Sequence, residues 1–278
     1  MEATVALVTG AGRGMGRSCA TALAGAADVL VLADLDEAGL AVAAGELAGS
    51  CGTVVPVVLD VSDAAALAAL AEQIGGLGRL GPIAHAAGIS PTMADWRRVL
   101  GVDLVGSALL VEALTPLVTD GTAMVLFASM AAHLMAQGIA PEVDLALDEP
   151  RHPDHLERVL AAFGPTIEDT GMAYSLAKRG VQRLARATAI AWGPRGGRIC
   201  SVSPGMIDTP QGRQEAAAQP GMTMLLEHSP IHRFGTAEEL AAVVAFLTSP
   251  AASFLTGTDV LVDGGVVAAI EALTAQAG

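Results

Sequence analysis

The run TVALVTGAGRGMG at residues 4–16 joins a short apolar segment to a cluster of glycines. Glycines occupy positions 10, 12, 14 and 16, and apolar residues at helical spacing follow directly. Glycines in such a turn let the backbone bend sharply and approach a pyrophosphate, and the next helix offers N–H donors at its N-terminus. The run therefore predicts a strand, a turn that binds a nucleotide, and a helix. A tight turn without any ligand is the open alternative.

Strand-like and helix-like segments alternate along the rest of the chain. Six further strands are predicted, at residues 28–34, 53–61, 82–88, 123–129, 197–205 and 259–265. This alternation is typical of a parallel, doubly wound sheet with right-handed crossovers. We therefore expect a single α/β domain over residues 1–278, with the three-layer α/β/α architecture of the Rossmann type. Residues 133–171 interrupt the alternation with charges and prolines, and we expect them to be an insert between strand 5 and the helix that contains Tyr174.

The composition restricts the functional class. Hydrophobic residues make up 52% of the chain and aromatic residues only 3%, which predicts an aliphatic core of buried parallel strands. The net charge of −14 argues against binding to nucleic acid and to anionic membrane surfaces, so we expect neither partner.

The cysteines and histidines do not form a recognisable metal or disulfide pattern. Cys19, Cys51 and Cys200 are scattered and form no CxxC pair, which predicts free thiols in a reducing compartment. His152 and His155 have no further ligand types clustered beside them, so no metal site is expected. The opening MEATVALVTG has no basic leader, and we expect a cytoplasmic protein.

Asp34 ends the second predicted strand, 18 residues after the last glycine of the turn, since 34 − 16 = 18. A carboxylate at this point accepts hydrogen bonds from both hydroxyls of an adenosine ribose and repels a 2′-phosphate. No arginine or lysine lies beside it in LADLDE, which favours NAD over NADP. The alternative is that Asp34 caps the following helix, although Asp36 could do so instead.

The only tyrosine of the chain, Tyr174, lies four residues before Lys178 in the run AYSLAK. Residues four apart on a helix share a face. An unperturbed tyrosine, with a pKa of about 10, is a poor acid–base catalyst at neutral pH, and a nearby ammonium group stabilises its phenolate. Ser129 ends the fifth predicted strand, where α/β sheets bind ligands, and could hydrogen-bond a substrate oxygen. A chance pairing of Tyr174 with Lys178, and a turn role for Ser129, are the alternatives.

Together these features resemble the short-chain dehydrogenase/reductase family over nearly the whole chain. The matching runs are TGAGRGMG at residues 9–16, DV at 60–61, AAG at 86–88, YSLAK at 174–178, SPGMIDT at 203–209 and VDGG at 262–265. The resemblance implies that Tyr174 is the general acid/base and that Lys178 binds the nicotinamide ribose and tunes Tyr174. It also implies that Ser129 orients the substrate.

The same resemblance implies an NAD site. Asp60 and Val61 would border the adenine, and Ile207 and Thr209 would contact the nicotinamide carboxamide. The full set implied is Gly10, Arg13, Gly14, Met15, Gly16, Asp34, Leu35, Asp60, Val61, Ala87, Gly88, Tyr174, Lys178, Pro204, Gly205, Ile207 and Thr209.

Three features depart from the family pattern. The family usually has Asn-Asn-Ala-Gly after strand 4, where this chain has His-Ala-Ala-Gly, and we interpret His85 as structural. Asp103 replaces an asparagine that helps to hold a relay water in the family; it stays in the predicted catalytic set and could pair with Lys178. The gap from Ser129 to Tyr174 is 45 residues, against a dozen or so in typical members.

The long insert is more similar to the bacterial 3α-hydroxysteroid dehydrogenase/carbonyl reductase branch of the family. In that branch the insert covers a helix surface otherwise used for tetramer packing, which implies a homodimer formed through the C-terminal helix and last strand. A homotetramer is the alternative. The apolar positions of the run DHLERVLAAF at residues 154–163 lie on one face of a helix. We expect that face to lie against the helix surface rather than the substrate cleft, with the ends of the insert lining the cleft.

These features predict an NAD-dependent enzyme that interconverts a secondary alcohol and a ketone on an apolar substrate, with hydroxysteroids as candidates. Residues 206–230 form the expected substrate lid, whose Met222, Met224, Leu225 and Leu226 would supply apolar contacts or pack on neighbouring helices. Two alternatives stay open. One is a non-catalytic NAD-binding redox sensor, and the other is an epimerase or dehydratase on the same fold.

Overall fold

The computed structural model describes residues 2–135, 138–218 and 221–277. In this part of the chain, seven parallel strands form a central sheet in the spatial order β3-β2-β1-β4-β5-β6-β9, and a two-stranded ladder of β7 and β8 lies apart from it. The expected doubly wound, Rossmann-type fold is confirmed. The strands are β1 Thr4–Thr9, β2 Val29–Asp34, β3 Thr53–Val58, β4 Arg79–His85, β5 Ala123–Phe127, β6 Arg198–Pro204, β7 Ile207–Asp208, β8 Gly235–Thr236 and β9 Asp259–Val262.

Helices cover both faces of the sheet. They are α1 Gly14–Leu23, α2 Glu37–Glu46, α3 Ala64–Leu77, α4 Trp96–Leu100, α5 Ser107–Leu114, α6 Met130–Leu134, α7 Pro141–Leu147, α8 His155–Phe163, α9 Thr170–Trp192, α10 Pro210–Ala218, α11 Gly221–His228, α12 Ala237–Thr248 and α13 Val266–Ala277. A π-helical segment, Gly101–Gly106, joins α4 to α5. Local sequence explains several helix starts: the carboxylate of Asp63 accepts the first free amides of α3, and Thr236 and Glu239 form a capping box on α12.

The strands are apolar throughout because both sheet faces are covered. Successive side chains of a strand point to opposite faces. Val5 and Leu7 therefore belong to one core, together with α3, α5 and α9, whereas Ala6 and Val8 belong to the other, beneath α1, α2 and α12. The strand order reverses between β1 and β4, so a crevice opens at the carboxyl ends of these two strands.

The continuous helical run Trp96–Leu117 is long and apolar enough to cross a membrane by length and composition. However, 61% of its most apolar window is buried inside the protein. The run is accordingly part of the core described above, in which Leu100, Leu104 and Leu110 are fully buried.

The insert lies against α9. Its helix α8 packs on α7, and α7 packs on α9. Val159, on the apolar face of α8, is fully buried within the same core cluster. On α9, Arg179 donates to both carboxylate oxygens of Asp144 at 2.6 and 2.8 Å, and Arg183 donates to both oxygens of Asp148 at 2.7 and 2.6 Å. The insert therefore covers the helix surface, while the state of assembly stays a prediction.

Candidate active site

The glycine-rich turn between β1 and α1 is packed too closely for side chains at two positions. Gly10 has a φ of +69°, and a Cβ there would lie 2.7 Å from the amide nitrogen of Ala87. A Cβ on Gly16 would lie 2.0 Å from the carbonyl oxygen of Gly10. These two glycines therefore let α1 begin directly against the turn, with its N-terminal amides at the crevice.

The crevice has a cavity volume of about 160 Å³. The residues that line it include the predicted coenzyme residues Gly10, Arg13, Gly14, Met15, Gly16, Asp34, Leu35, Asp60, Val61, Ala87, Gly88 and Thr209. Their grouping fits a dinucleotide in an extended conformation, because the turn and the N-terminus of α1 offer N–H donors to a pyrophosphate while carboxylates lie farther along the same crevice.

Asp34 is held in place by two backbone amides. Gly12 N–H donates to Asp34 Oδ2 at 2.8 Å, and Asp36 N–H donates to Asp34 Oδ1 at 2.9 Å. Asp36, not Asp34, is the N-cap of α2, because its carboxylate accepts from Gly39 N–H at 3.1 Å. Each oxygen of Asp34 keeps a further lone pair, so the carboxylate can still accept from ribose hydroxyls.

Asp60 has two partners of its own. Its Oδ1 accepts from the amide and the hydroxyl of Ser62 at 2.8 and 2.6 Å, and its Oδ2 accepts from Arg98 at 3.0 Å. The hydrogen bond from the Ser62 hydroxyl is the main cause that lowers the pKa of Asp60. Arg98 also lines the crevice, and sequence reasoning missed it because it lies on α4, 38 residues beyond Asp60, with no local motif that marks it.

A second cleft adjoins the first and has a cavity volume of about 380 Å³. Ser129, Tyr174 and Lys178 all line it. Lys178 Nζ lies 5.5 Å from the centroid of the Tyr174 ring and donates to the carbonyl of Phe127 at 3.0 Å. The ammonium group is therefore fixed beside the phenol, as the four-residue spacing on a helix predicted.

Ser129 lies between β5 and α6. It is the N-cap of α6, and its Oγ accepts from Ala131 N–H at 3.2 Å. This hydrogen bond uses an oxygen lone pair, so the Ser129 O–H can donate to a substrate oxygen in the cleft.

Asp103 lies behind Lys178 rather than in the cleft. Its side chain is fully buried, with Oδ2 3.1 Å from Lys178 Nζ and Oδ1 accepting from Ile89 N–H at 2.8 Å. Burial raises the pKa of Asp103, and Lys178 and the Ile89 amide oppose that rise. A Cβ on Gly88 would lie 3.1 Å from Asp103 Oδ1 and 3.3 Å from Lys178 Nζ, so glycine leaves room for this pair.

His85 is part of a continuous hydrogen-bond chain. Ala87 N–H donates to Thr9 Oγ1 at 3.3 Å, and Thr9 Oγ1 lies 2.7 Å from His85 Nδ1. On the other side, His85 Nε2 lies 2.9 Å from Ser107 Oγ, which donates to the Asp103 carbonyl at 2.6 Å. Burial, with the charge of Lys178, lowers the pKa of His85 to about 3. A neutral imidazole with its proton on Nε2 satisfies every bond in this chain, which supports the structural role expected for His85.

The segment after β6 completes the second cleft. Pro204, Gly205, Ile207 and Thr209 all line it. Thr209 Oγ1 accepts from Gly212 N–H at 3.0 Å, which fixes the side chain at the junction of the two clefts. Every predicted site residue therefore lines one of the two clefts except Asp103, which contacts Lys178 from behind.

The expected lid contributes less than its sequence suggested. Leu225 and Leu226 pack against the cluster that contains Val266, and Met224 is half exposed, so none of the three lines the cleft. The side chain of Met222 lies outside the described residues. The lid region contributes Met206 to the apolar wall, and the rest comes from residues that sequence analysis did not single out, namely Pro91, Met130, Met172 and Phe234.

Both ends of the insert reach this cleft. Ser129 and Met130 precede the insert, and Asp169 and Met172 follow its helices, and all four line the cleft. His155 of the insert is buried and His152 is exposed. Among residues 2–135, 138–218 and 221–277, no group of three or more His, Cys, Asp or Glu side chains is placed to hold a metal ion.

Comparison with known proteins identifies the family. A model of this family, described as enoyl-(acyl carrier protein) reductase, matches residues 10–141 and 162–267. The chain belongs to the short-chain dehydrogenase/reductase family. The unmatched residues 142–161 fall within the insert, and they cover nearly all of α7 and most of α8.

Relatives of similar length act on secondary alcohols. The D-threitol dehydrogenase of Mycolicibacterium smegmatis is 30% identical over 95% of this chain and 93% of its own length. The cyclohexanol dehydrogenase of an Acinetobacter species is 31% identical over 94% of this chain and 93% of its own length. The crystal structure of levodione reductase superimposes with a TM-score of 0.75 at 29% identity, covering 95% of this chain and 98% of that one. Members of this family are oxidoreductases that act on CH–OH groups and typically bind a nicotinamide coenzyme.

Proposed function

We propose that this short-chain dehydrogenase/reductase interconverts a secondary alcohol and a ketone on an apolar frame and uses NAD. The main support is that Ser129, Tyr174 and Lys178 line one cleft, directly beside the crevice of the glycine-rich turn. A redox sensor without catalysis has no need for all three side chains. An epimerase or dehydratase would keep its coenzyme bound and release no net NADH, which turnover assays distinguish.

The chain's own residues provide the acid–base chemistry. In alcohol oxidation, the phenolate of Tyr174 takes the hydroxyl proton of the substrate, and the Ser129 O–H donates to the same substrate oxygen. Lys178, 5.5 Å from the ring centroid, stabilises the phenolate form of Tyr174 by its positive charge. A nicotinamide bound at the junction of the clefts would accept the hydride that leaves the substrate carbon. In reduction the same groups return the proton to the oxygen.

The cleft wall supports an apolar substrate. Met130, Met172 and Met206 line it with Phe234, and the long thioether side chains adapt to irregular apolar shapes. We propose alicyclic secondary alcohols as the substrate class, with 3-hydroxysteroids among the compounds to screen because of the resemblance to the hydroxysteroid branch. Linear polyols are the competing class, since one relative acts on D-threitol.

The substitution Tyr174→Phe tests the proposed reaction. It keeps the ring and removes the proton donor, so turnover of secondary alcohols should fall roughly 10²–10⁴-fold. The dissociation constant of NADH, measured by fluorescence, should change little and is the control for folding. Near-wild-type turnover would show that Tyr174 is not the acid/base.

Coenzyme choice is tested at Asp34, which lies in the same crevice as Arg13. Asp34→Ser removes the group that would accept from the ribose hydroxyls and repel a 2′-phosphate, and it leaves Arg13 available to attract that phosphate. The ratio of kcat/KM for NAD to that for NADP should therefore fall by at least about tenfold, equivalent to the loss of one hydrogen bond to a charged group. An unchanged ratio would contradict the assignment of NAD through Asp34.

The proposal also covers the cellular location of the protein and its state of assembly. Cys19 and Cys200 are buried, and burial raises the pKa of Cys19 to about 12 and also raises that of Cys200, so neither thiol is poised to react. Together with Cys51, all three cysteines are free, which supports a reducing, cytoplasmic location. We also propose a homodimer, because the insert covers α9.

A further inference from the structure

Five polar side chains lie together beside the catalytic cleft, and sequence analysis assigned a role to none of them. We define the His133 cluster as His133 on α6, Gln182 on α9, Ser201 and Ser203 on β6, and Asp259 at the start of β9. His133 Nε2 lies 2.7 Å from Asp259 Oδ2, and Ser201 Oγ donates to Asp259 Oδ1 at 2.5 Å. The side chains of His133 and Asp259 are only 30% and 15% exposed, so their pairing is largely shielded from water.

Gln182 fixes the direction of the hydrogen bonds in the cluster. Its Nε2 donates to Ser203 Oγ at 3.0 Å and to Asp259 Oδ2 at 3.3 Å. The same nitrogen lies 2.9 Å from His133 Nε2. Because this amide nitrogen is itself a donor, the proton on His133 Nε2 points to the Asp259 carboxylate.

The cluster joins the two elements that hold the catalytic side chains. His133 lies four residues after Ser129, and α6 has only five residues, too few to hold its place through its own hydrogen bonds. The position of Ser129 at the N-terminus of α6 therefore depends on what holds α6. On α9, Gln182 follows Lys178 by four residues and Tyr174 by eight, so all three share one helix face.

The charges around His133 all favour its protonated form. The hydrogen bond to Asp259 is the largest cause that raises the pKa of His133, and the charges of Asp259, Asp263 and Glu271 add to it against the effect of burial. Burial would raise the pKa of Asp259, but the hydrogen bonds from His133, Ser201 and Ser203 lower it overall. Gln182, which faces His133 from α9, is neutral.

We infer that His133 is a positioning residue for Ser129, and that its protonated form holds α6 against β9. The inference rests on the proposed function, which assigns Ser129 to the substrate oxygen. When His133 loses its Nδ1 proton, Nε2–H still donates to the Asp259 carboxylate, but the charge–charge attraction between the two side chains is lost. Because the pKa is raised in the folded protein, this stabilisation is complete below the ordinary value of 6.5 and is lost as the pH rises through the raised pKa.

The test compares His133→Gln with the wild-type enzyme in ketone reduction at saturating NADH. Glutamine keeps an N–H donor but does not titrate. Below the raised pKa of His133, we expect kcat/KM for the ketone to be roughly tenfold lower in the variant, because the hydrogen bond to Asp259 is kept but the charge–charge attraction is lost. The decrease in kcat/KM that the wild type shows as His133 deprotonates should be absent from the variant. The dissociation constant of NADH should stay unchanged in both.

Two further variants support this comparison. Asp259→Asn removes the charge from the other side of the pair and should reproduce both effects of His133→Gln. His152→Gln changes an exposed histidine of the insert and should change neither.

The outcomes separate the inference from the proposed function. If the wild type oxidises secondary alcohols but His133→Gln keeps the wild-type kcat/KM and pH profile, the positioning role is overturned. An equal loss of NADH binding and ketone turnover would also overturn it, because a general loss of structure would explain both. If the wild type produces no NADH from any secondary alcohol, the proposed function itself fails, and the role of His133 fails with it.

Discussion

The substitution Asp103→Asn measures how a buried acid acts on the catalytic tyrosine. Asparagine has nearly the same shape and can still accept from the Ile89 amide, but it has no charge. The charge of Lys178, 5.5 Å from the Tyr174 ring centroid, favours the phenolate by about 3 kcal/mol at an effective dielectric constant of about 20. Asp103 Oδ2 lies 3.1 Å from that ammonium and so no more than about 9 Å from the centroid. At the same dielectric constant, its carboxylate opposes the phenolate by at least about 1.8 kcal/mol.

Removing this carboxylate should shift the acid limb of alcohol oxidation to lower pH by at least about 1.3 units, since 1.36 kcal/mol corresponds to one unit. The assay is kcat/KM for a secondary alcohol at saturating NAD, followed through NADH absorbance across the pH range. Asp120→Asn is the matched control, because it makes the same chemical change at an exposed site in the turn before β5, and it should leave the limb in place.

Two results would refute this reasoning. Burial raises the pKa of Asp103, and an unchanged acid limb would mean that the carboxyl group is already protonated beside Lys178. A shift to higher pH would mean that the main effect of Asp103 is to keep Lys178 protonated. In either case the carboxylate would not be the group that weakens the action of Lys178 on Tyr174.

Two further predictions concern the glycine-rich turn and the insert. Gly16→Ala should lower the free energy of unfolding by about 1–3 kcal/mol, because the new Cβ would lie 2.0 Å from the carbonyl oxygen of Gly10. Thermal unfolding measures this loss. The control is Gly25→Ala, whose Cβ would have nothing within 4 Å and which should be nearly neutral. Replacement of residues 141–168 by a short Gly-Ser linker should turn a dimer into a larger assembly by exposing α9, with NADH binding retained. Light scattering on both proteins decides the second point, and a wild-type tetramer formed through α9 would contradict it.

The sequence predicted those features that depend on local patterns. Apolar runs between turn residues located the strands, because both faces of a parallel sheet are buried. Spacing along one helix predicted that Tyr174 and Lys178 would share a face. The pairing of Asp103 with Lys178 was suggested by the family resemblance, in which Asp103 replaces an asparagine. The start of β4 was less predictable: the strand begins at Arg79 rather than Pro82, and its pairing with β1 is irregular at the adjoining Gly81.

Contacts between distant segments could not be predicted in the same way. Arg98 on α4 reaches Asp60 in the loop after β3, and His133 reaches Asp259 across 126 residues. Neither pair belongs to a spaced motif. The lid shows a related difficulty. Leu225 and Leu226 suggested a substrate contact, but an apolar side chain on a helix serves equally well to pack against a neighbour, and these two pack near α13.

One helix, α9, contacts the insert and also holds the catalytic pair Tyr174 and Lys178. Tyr174 and Lys178 face the cleft. Arg179 and Arg183 each come one residue after a position on that face, so they point to a neighbouring side of the helix. There they donate to carboxylates of the insert. A helix of 23 residues is about 35 Å long, so this one element carries both sets of contacts. The insert therefore has a structural reason to begin and end at the active site, since its two ends line the cleft and its centre is fastened to the helix that positions the acid/base.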